Sequence, residues 1–153
     1  MTEQITLHPL FARLMNEFGA SLITQKNIDS FLSETDDLPT VLLFAGDPVR
    51  RPEGLDVAVI LPELMTHFPN QCRIALISPE DDQILGKQFD IDIRPTLVFL
   101  RGTHVITKII KLHDWQIYLD LFGQALTACQ NTTPIGILGG QTEQTISLSN
   151  LKR

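Results

Sequence analysis

The stretch FDIDIRPTLVFLRG, residues Phe89–Gly102, decides how this chain folds. It consists of a short polar lead-in, an Arg-Pro-Thr step, a continuous apolar run and a tight turn. The β-branched and aromatic residues of 96–100 predict a strand, and residues 101–103 predict the turn. The apolar residues of 105–112 predict a second strand, so the stretch leads into a β-hairpin.

Upstream of this hairpin, helical and strand patterns alternate along the chain. Apolar residues at helical spacing predict helices at 8–18, 27–33, 54–68 and 114–129, with a short helix beginning near 80–82. Continuous apolar runs predict strands at 20–23, 40–45 and 73–77. Strands separated by helices favour parallel pairing, and the hairpin adds antiparallel strands at one side. The predicted fold class is α/β, a mixed central sheet with helices on both faces.

The length of 153 residues suits one domain followed by a tail. The domain is predicted to span residues 1–129. It ends with a helix, capped by Asp114, whose apolar stripe comprises Trp115, Leu119, Phe122, Leu126 and Cys129. The composition then becomes polar, so residues 130–153 are predicted to form a flexible C-terminal tail.

The apolar segments are too short for a membrane protein. No apolar run approaches the ~18 residues that a spanning helix needs. The N-terminus lacks a basic segment followed by a long apolar stretch and a cleavage site. We therefore expect a cytoplasmic protein without direct membrane insertion.

The formal net charge of −6 bears on the class of partner. Nucleic-acid binding requires clustered Lys and Arg to neutralise phosphates, so the acid excess disfavours a nucleic-acid partner. A charged partner would be basic. The alternative is that the excess serves solubility alone.

The two cysteines, Cys72 and Cys129, lie far apart in the sequence. They form neither a redox pair nor half of a zinc site, which needs about four closely spaced ligands. Small, partly buried apolar roles are expected for both. The four histidines have no metal-like spacing either. No metal and no cofactor is expected.

The order of elements, with the Arg-Pro-Thr step before the hairpin, resembles the thioredoxin fold over Thr40–Ala128. Residues 89–96 resemble the thioredoxin phrase aromatic-Gly-Ile-x-x-Ile-Pro-Thr. This resemblance implies that Pro95 occupies the position of the cis-proline that lines a peptide groove. It also implies a three-layer architecture.

Pro62 is a second feature that resembles thioredoxins. It lies inside a predicted helix, and a proline at such a position kinks the helix. In thioredoxins such a proline follows the second active-site cysteine by five residues. Counting back puts Val57 and Gly54 where the two cysteines would stand. The usual buried acid before an aromatic is replaced by Leu43. Disulfide exchange requires a thiolate, so we expect no redox enzyme here.

Two longer phrases narrow the resemblance. LLFAGDPVRRPEGLDVAVILPEL and IRPTLVFLRG resemble the HyaE/HupG family of hydrogenase maturation proteins, which are thioredoxin-like and lack the Cys-x-x-Cys motif. Membership implies a non-catalytic chaperone for nickel–iron hydrogenase. Its partner would be the hydrogenase small-subunit precursor, bound at the twin-arginine signal peptide before export.

Two other hypotheses remain open at this point. The chain could be an assembly scaffold that binds other hydrogenase maturation proteins without reading the signal peptide. It could also be a degenerate oxidoreductase acting through Cys72 alone. Binding to an isolated signal peptide separates the first hypothesis from the scaffold, and thiol-dependent activity identifies the third.

The candidate peptide-binding residues flank the positions of the missing cysteines and the proline: Asp47, Glu53, Asp56, Asp90, Asp92, Arg94 and Pro95. Carboxylates are suited to bidentate contacts with the arginines of a signal peptide. Each acid also has a local alternative, as a turn residue, a helix-start residue or part of a solvated edge. Arg94 is predicted to place a positive charge at the rim of the groove.

Overall fold

The computed structural model describes residues 7–34 and 38–131. In chain order the elements are α1 (Pro9–Phe18), β1 (Ser21–Ile23), α2 (Ile28–Ser33), β2 (Thr40–Phe44), α3 (Glu53–His67), β3 (Arg73–Ile77), a single 3₁₀ turn (Pro79–Asp81), α4 (Asp82–Gln88), β4 (Thr96–Arg101), β5 (His104–Ile110) and α5 (Trp115–Asn131).

The five strands form one mixed sheet in the order β1-β3-β2-β4-β5. β3 pairs in parallel with both β1 and β2, because helices separate these strands along the chain. β4 pairs antiparallel with β2, and the hairpin adds β5 at the edge. This is the thioredoxin-like α/β fold that the sequence predicts.

Helices cover both faces of the sheet, so the architecture has three layers. Every residue of β2 is buried, as its continuous apolar run predicts. Side chains alternate between the faces of a strand. Val41 and Leu43 therefore pack with α1, α3 and α5, whereas Leu42 and Phe44 pack with α2 and α4.

The glycines and the proline that the sequence predicts to end, interrupt or connect elements lie at those positions in the structure. Gly19 ends α1 in the left-handed conformation, with φ of 76°, and its N–H donates to the carbonyls of Leu14 and Met15. Pro62 lies inside α3 and is buried. The hairpin turns at Gly102, which also has a positive φ.

The last helix differs in detail from the prediction. Trp115 is 39% exposed, so it does not belong to the buried stripe; Tyr118 takes that place and is 1% exposed. α5 continues to Asn131, two residues beyond the predicted domain boundary. The rest of the predicted tail, residues 132–153, lies outside the described residues. No helix in the described ranges is long and apolar enough to cross a membrane.

Candidate functional site

Three segments of the chain meet at one edge of the sheet. Phe44 at the end of β2 pairs with Thr96 at the start of β4, and Thr96 pairs in turn with Ile110 at the end of β5. The segments that follow β2, precede β4 and follow β5 therefore lie side by side. We call residues 45–56, 89–95 and 111–114 the loop edge.

Pro95 lies at the centre of the loop edge. The Arg94–Pro95 peptide bond is cis, as the resemblance implies, and Pro95 is buried. The Pro95 carbonyl accepts a hydrogen bond from the Lys111 N–H at 2.7 Å. The Ile93 carbonyl accepts one from the Thr96 hydroxyl at 2.7 Å. Both neighbours of Arg94 are thereby anchored through their backbone carbonyls.

The backbone of Arg94 is different. Within residues 7–34 and 38–131, its N–H and C=O have no hydrogen-bond partner. The preceding residue, Ile93, has a side chain that is 47% exposed. A backbone donor and acceptor beside an exposed apolar side chain can pair with an extended peptide in the manner of an added strand.

The side chain of Arg94 does not sit at the rim, so that prediction is wrong. It is 12% exposed, and its Nε lies 2.7 Å from Oδ1 of Asp82, which is itself 7% exposed. The guanidinium also donates to the carbonyls of Ile91, at 2.9 Å, and of Asp82, at 3.1 Å. Asp82 therefore neutralises the charge that the sequence assigns to the surface.

Asp82 also connects a second segment of the loop edge to this pair. Its other carboxylate oxygen accepts a hydrogen bond from the Gly46 N–H at 3.2 Å. A Cβ at Gly46 would lie 2.8 Å from Cγ of Arg94, and a Cβ at Gly86 would collide with the guanidinium. The two glycines therefore provide the space that the inward-turned Arg94 occupies.

Asp47 is exposed and forms the turn that its position before a proline predicts. Its carboxylate accepts a hydrogen bond from the Val49 N–H at 3.0 Å and lies 4.0 Å from Nε of Arg50. Val49 is 87% exposed. The first segment thus presents one carboxylate, partly engaged by a neighbouring arginine, beside an exposed apolar side chain.

Glu53 and Asp56 are exposed in the first turn of α3. Among residues 7–34 and 38–131, no side chain caps this helix, because its N-cap residue is Pro52. The two carboxylates therefore lie near the positive end of the helix dipole, which is a structural role compatible with solvent access. Gly54 packs its α-carbon against the Ala45 carbonyl, which brings this helix start onto the end of β2.

Asp90 and Asp92 are exposed on the segment before β4. Asp90 has a positive φ of 57°. The Lys108 ammonium donates to the Phe89 carbonyl at 2.7 Å and to the Asp90 carbonyl at 3.3 Å. This contact anchors the backbone of the segment while both carboxylates face solvent.

The third segment contains a residue that sequence reasoning missed. Lys111 is exposed, has a φ of 66°, and joins this segment to Pro95 through its N–H. Its carbonyl accepts a hydrogen bond from the Tyr118 hydroxyl at 3.0 Å. Burial raises the pKa of that hydroxyl, so Tyr118 acts as a donor throughout the physiological pH range. The hairpin register was the only sequence signal for this placement.

The environment of the cysteines opposes thiol chemistry. Cys72 is 6% exposed and Cys129 is fully buried. Burial raises the pKa of each thiol to about 12, so the reactive thiolate is scarce at neutral pH. The Cys72 thiol instead lies 3.5 Å from the Met65 sulfur. In the part of the chain that the structure describes, no three His, Cys, Asp or Glu side chains are grouped to hold a metal ion.

Comparison with known proteins gives consistent matches. Residues 10–118 match the family model described as hydrogenase-1 expression protein HyaE. The chain is 38% identical to the hydrogenase expression/formation protein HupG of Bradyrhizobium diazoefficiens over 122 residues, which is 78% of this chain and 79% of that one. It is 39% identical to HoxO of Cupriavidus necator, described in the same words, over 132 residues, or 84% of this chain and 81% of the relative.

A solved structure is also similar. The crystal structure of a hydrogenase expression/formation protein HupG from Rhodopseudomonas palustris is 32% identical in sequence. The match covers 72% of this chain and 98% of that one, with a TM-score of 0.49.

Proposed function

Because the chain belongs to the HyaE family of hydrogenase expression proteins, we propose that it is a non-catalytic chaperone of nickel–iron hydrogenase maturation. It binds the twin-arginine signal region of the hydrogenase small-subunit precursor in the cytoplasm, before export. Membership supports the role in hydrogenase maturation. The single observation that supports peptide binding is the backbone N–H and C=O of Arg94, which have no partner among the described residues and lie beside the cis-proline.

The backbone of Arg94 gives the site its general affinity for an extended chain. Main-chain hydrogen bonds in an added strand do not depend on the sequence of the peptide, so side chains around the strand must supply the specificity. The carbonyls on either side of Arg94 are already paired, through Thr96 and Lys111. On this segment, a peptide strand would therefore form its main-chain hydrogen bonds with Arg94.

Exposed carboxylates supply the preference for a basic peptide. Six of them lie on the loop edge, at Asp47, Glu53, Asp56, Asp90, Asp92 and Asp114. The exposed cations of the loop edge are Arg50, Arg51 and Lys111. The excess of carboxylates is able to pair with two guanidinium groups, each of which offers a fork of donors to a carboxylate.

Exposed apolar side chains at the same edge suit the rest of a signal peptide. Ile93 and Val49 are 47% and 87% exposed. They belong to segments joined through the Phe44–Thr96 pair of the sheet. The apolar stretch that follows the arginines of a signal peptide would cover such side chains and remove them from water.

Calorimetric titration with the small-subunit signal peptide tests the proposal, with an otherwise identical peptide whose two arginines are glutamines as the control. Tight binding to the first peptide and weak binding to the second are expected. Glu53→Gln should weaken binding, whereas Glu63→Gln should not. Both residues are exposed on α3, but ten residues, or about 15 Å, separate them along the helix.

A wild-type protein that gives no binding by calorimetry and by a second method would overturn the proposal. The scaffold hypothesis would then lead, and the next titrations would use folded hydrogenase maturation proteins. Equal affinity for the arginine and glutamine peptides would contradict the assigned role of the carboxylates while leaving peptide binding itself intact.

A further inference from the structure

We propose that Asp82 is a specificity-determining residue of this site, because it withdraws the Arg94 guanidinium from the loop edge. The edge then presents carboxylates to a basic peptide, and Arg94 contributes only its backbone. This inference rests on the proposed function. Asp82 itself lies beneath the edge and contacts no partner directly.

Without Asp82, the inward position of Arg94 would be poorly satisfied. The Asp82 carboxylate provides the one charged acceptor, at 2.7 Å, among the described contacts of the guanidinium. The remaining acceptors are two backbone carbonyls, at 2.9 and 3.1 Å. A buried guanidinium that loses its carboxylate is costly, so the side chain would turn out to solvent.

A released Arg94 would compete with the partner. Arg94 follows Asp92 by two residues and Asp90 by four, and both carboxylates are exposed. Its long side chain would reach this acidic segment and occupy acceptors that the proposed partner's arginines need. The negative excess at the edge would also shrink, because one positive charge would be added at the surface.

The glycines on either side of the pair support a dedicated arrangement. Gly86 on α4 leaves room for the guanidinium, and Gly46 leaves room for the aliphatic part of Arg94. The second carboxylate oxygen of Asp82 holds the Gly46 N–H at 3.2 Å. Asp82 therefore positions two segments of the loop edge as well as the arginine.

Binding of the twin-arginine peptide to Asp82→Asn, alone and combined with Arg94→Gln, tests the inference. Asp82→Asn should weaken binding by about fivefold at low salt, and the double variant should recover most of that loss, because it removes the competing cation. Asp81→Asn is the matched control: Asp81 is adjacent in sequence but bonds to Gln25. Wild-type affinity in Asp82→Asn, or a double variant no tighter than the single one, would overturn the inference.

A second variant removes any dependence on the folding of Asp82→Asn. Gly86→Ala leaves both charges in place but fills the space of the guanidinium with a methyl group. Alanine is a better helix former than glycine, so α4 itself should tolerate the change. Weaker peptide binding supports the inference, and unchanged affinity contradicts it.

Hydrogen exchange of the Arg94 side chain, measured in the absence of peptide, tests this inference independently of the proposed function. The Arg94 Nε–H should give a slowly exchanging nuclear magnetic resonance signal in the wild type and in Asp81→Asn, and a rapidly exchanging one in Asp82→Asn. Rapid exchange in the wild type would mean that Asp82 does not hold Arg94, and the inference fails. If the signal behaves as expected but the wild type binds no peptide, the proposed function fails and the positioning of Arg94 by Asp82 stands.

Discussion

Alanine substitutions at two helical glycines should differ in their effect on stability, with only one of them destabilising the fold. Gly54 is the second residue of α3, and Gly123 lies in the middle of α5. A Cβ at Gly54 would collide with the Ala45 carbonyl oxygen and lie 2.9 Å from the Ala45 Cβ. A Cβ at Gly123 would lie 3.4 Å from the Phe68 ring, which is ordinary van der Waals contact.

The magnitudes follow from these distances. Overpacking against the fixed backbone of a buried strand end costs about 1–3 kcal/mol, and the better helix propensity of alanine returns at most about 1 kcal/mol. Gly54→Ala should therefore lower the free energy of unfolding by up to about 3 kcal/mol. Gly123→Ala gains the propensity without the collision, so it should be neutral or stabilising by up to about 1 kcal/mol.

Urea unfolding of the two variants beside the wild type measures the difference directly, provided that the slopes of the transitions agree. Equal stability of Gly54→Ala and Gly123→Ala would refute the close approach of α3 to the Ala45 carbonyl. The outcome also bears on redox chemistry, because Gly54 stands where the resemblance puts the first thioredoxin cysteine. A cysteine there would meet the same carbonyl, so Gly54→Cys with Val57→Cys should destabilise the fold.

Three further outcomes are expected. Affinity for the twin-arginine peptide should fall as salt rises from about 0.05 to 0.5 M, because exposed ion pairs are screened; an affinity independent of salt would contradict charge pairing. The free energy of unfolding should fall between about pH 9 and 12, by at most about 1.4 kcal/mol per pH unit for each thiol, because unfolded Cys72 and Cys129 lose protons that the folded state keeps. The thiols should not affect stability below about pH 8. In the double variant Cys72→Ala with Cys129→Ala, the free energy of unfolding should fall less steeply between about pH 9 and 12. An unchanged slope would contradict the raised pKa values of the thiols. Lys108→Met should speed amide exchange in residues 89–95, since the ammonium no longer holds the Phe89 and Asp90 carbonyls; unchanged exchange would mean that the segment is anchored otherwise.

The fold was predictable because its strongest determinants are local. The uninterrupted apolar run of β2 requires burial on both faces, and Pro62 and Pro95 mark a helix and a loop at fixed distances from it. Helices between strands then restrict the pairing to parallel. Each of these signals is contained in a short stretch of sequence.

The site was less predictable because its key contacts are tertiary. Asp82 and Arg94 are 12 residues apart and meet only when α4 packs beside the segment before β4. In the sequence, Asp82 is one of three consecutive acids at a helix start and has no distinguishing feature. The residue type of Lys111 gave no signal for its placement beyond the hairpin register, since a left-handed conformation is more usual for glycine or asparagine.

The misassigned stripe of α5 has a similar cause. Trp115 is apolar and falls at helical spacing, but it begins the helix, where few neighbours cover it, and its ring contacts His67 at 5.5 Å between centroids. Tyr118 is buried because its hydroxyl reaches the Lys111 carbonyl. The helical spacing of apolar residues gives no information about such a hydrogen bond, so it does not identify Tyr118 as buried.

Mapping of amide chemical shifts during titration with the twin-arginine signal peptide is the most direct test of peptide binding at the loop edge. Changes should concentrate in residues 45–56, 89–95 and 111–114, and should include the Arg94 amide, whose N–H is unpaired in the described residues. Residues 70–73 and 38–40, at the opposite end of β2 and β3, should remain unchanged. Changes centred on that opposite end, or no changes at a saturating peptide concentration, would contradict a peptide site built around Arg94 and Pro95.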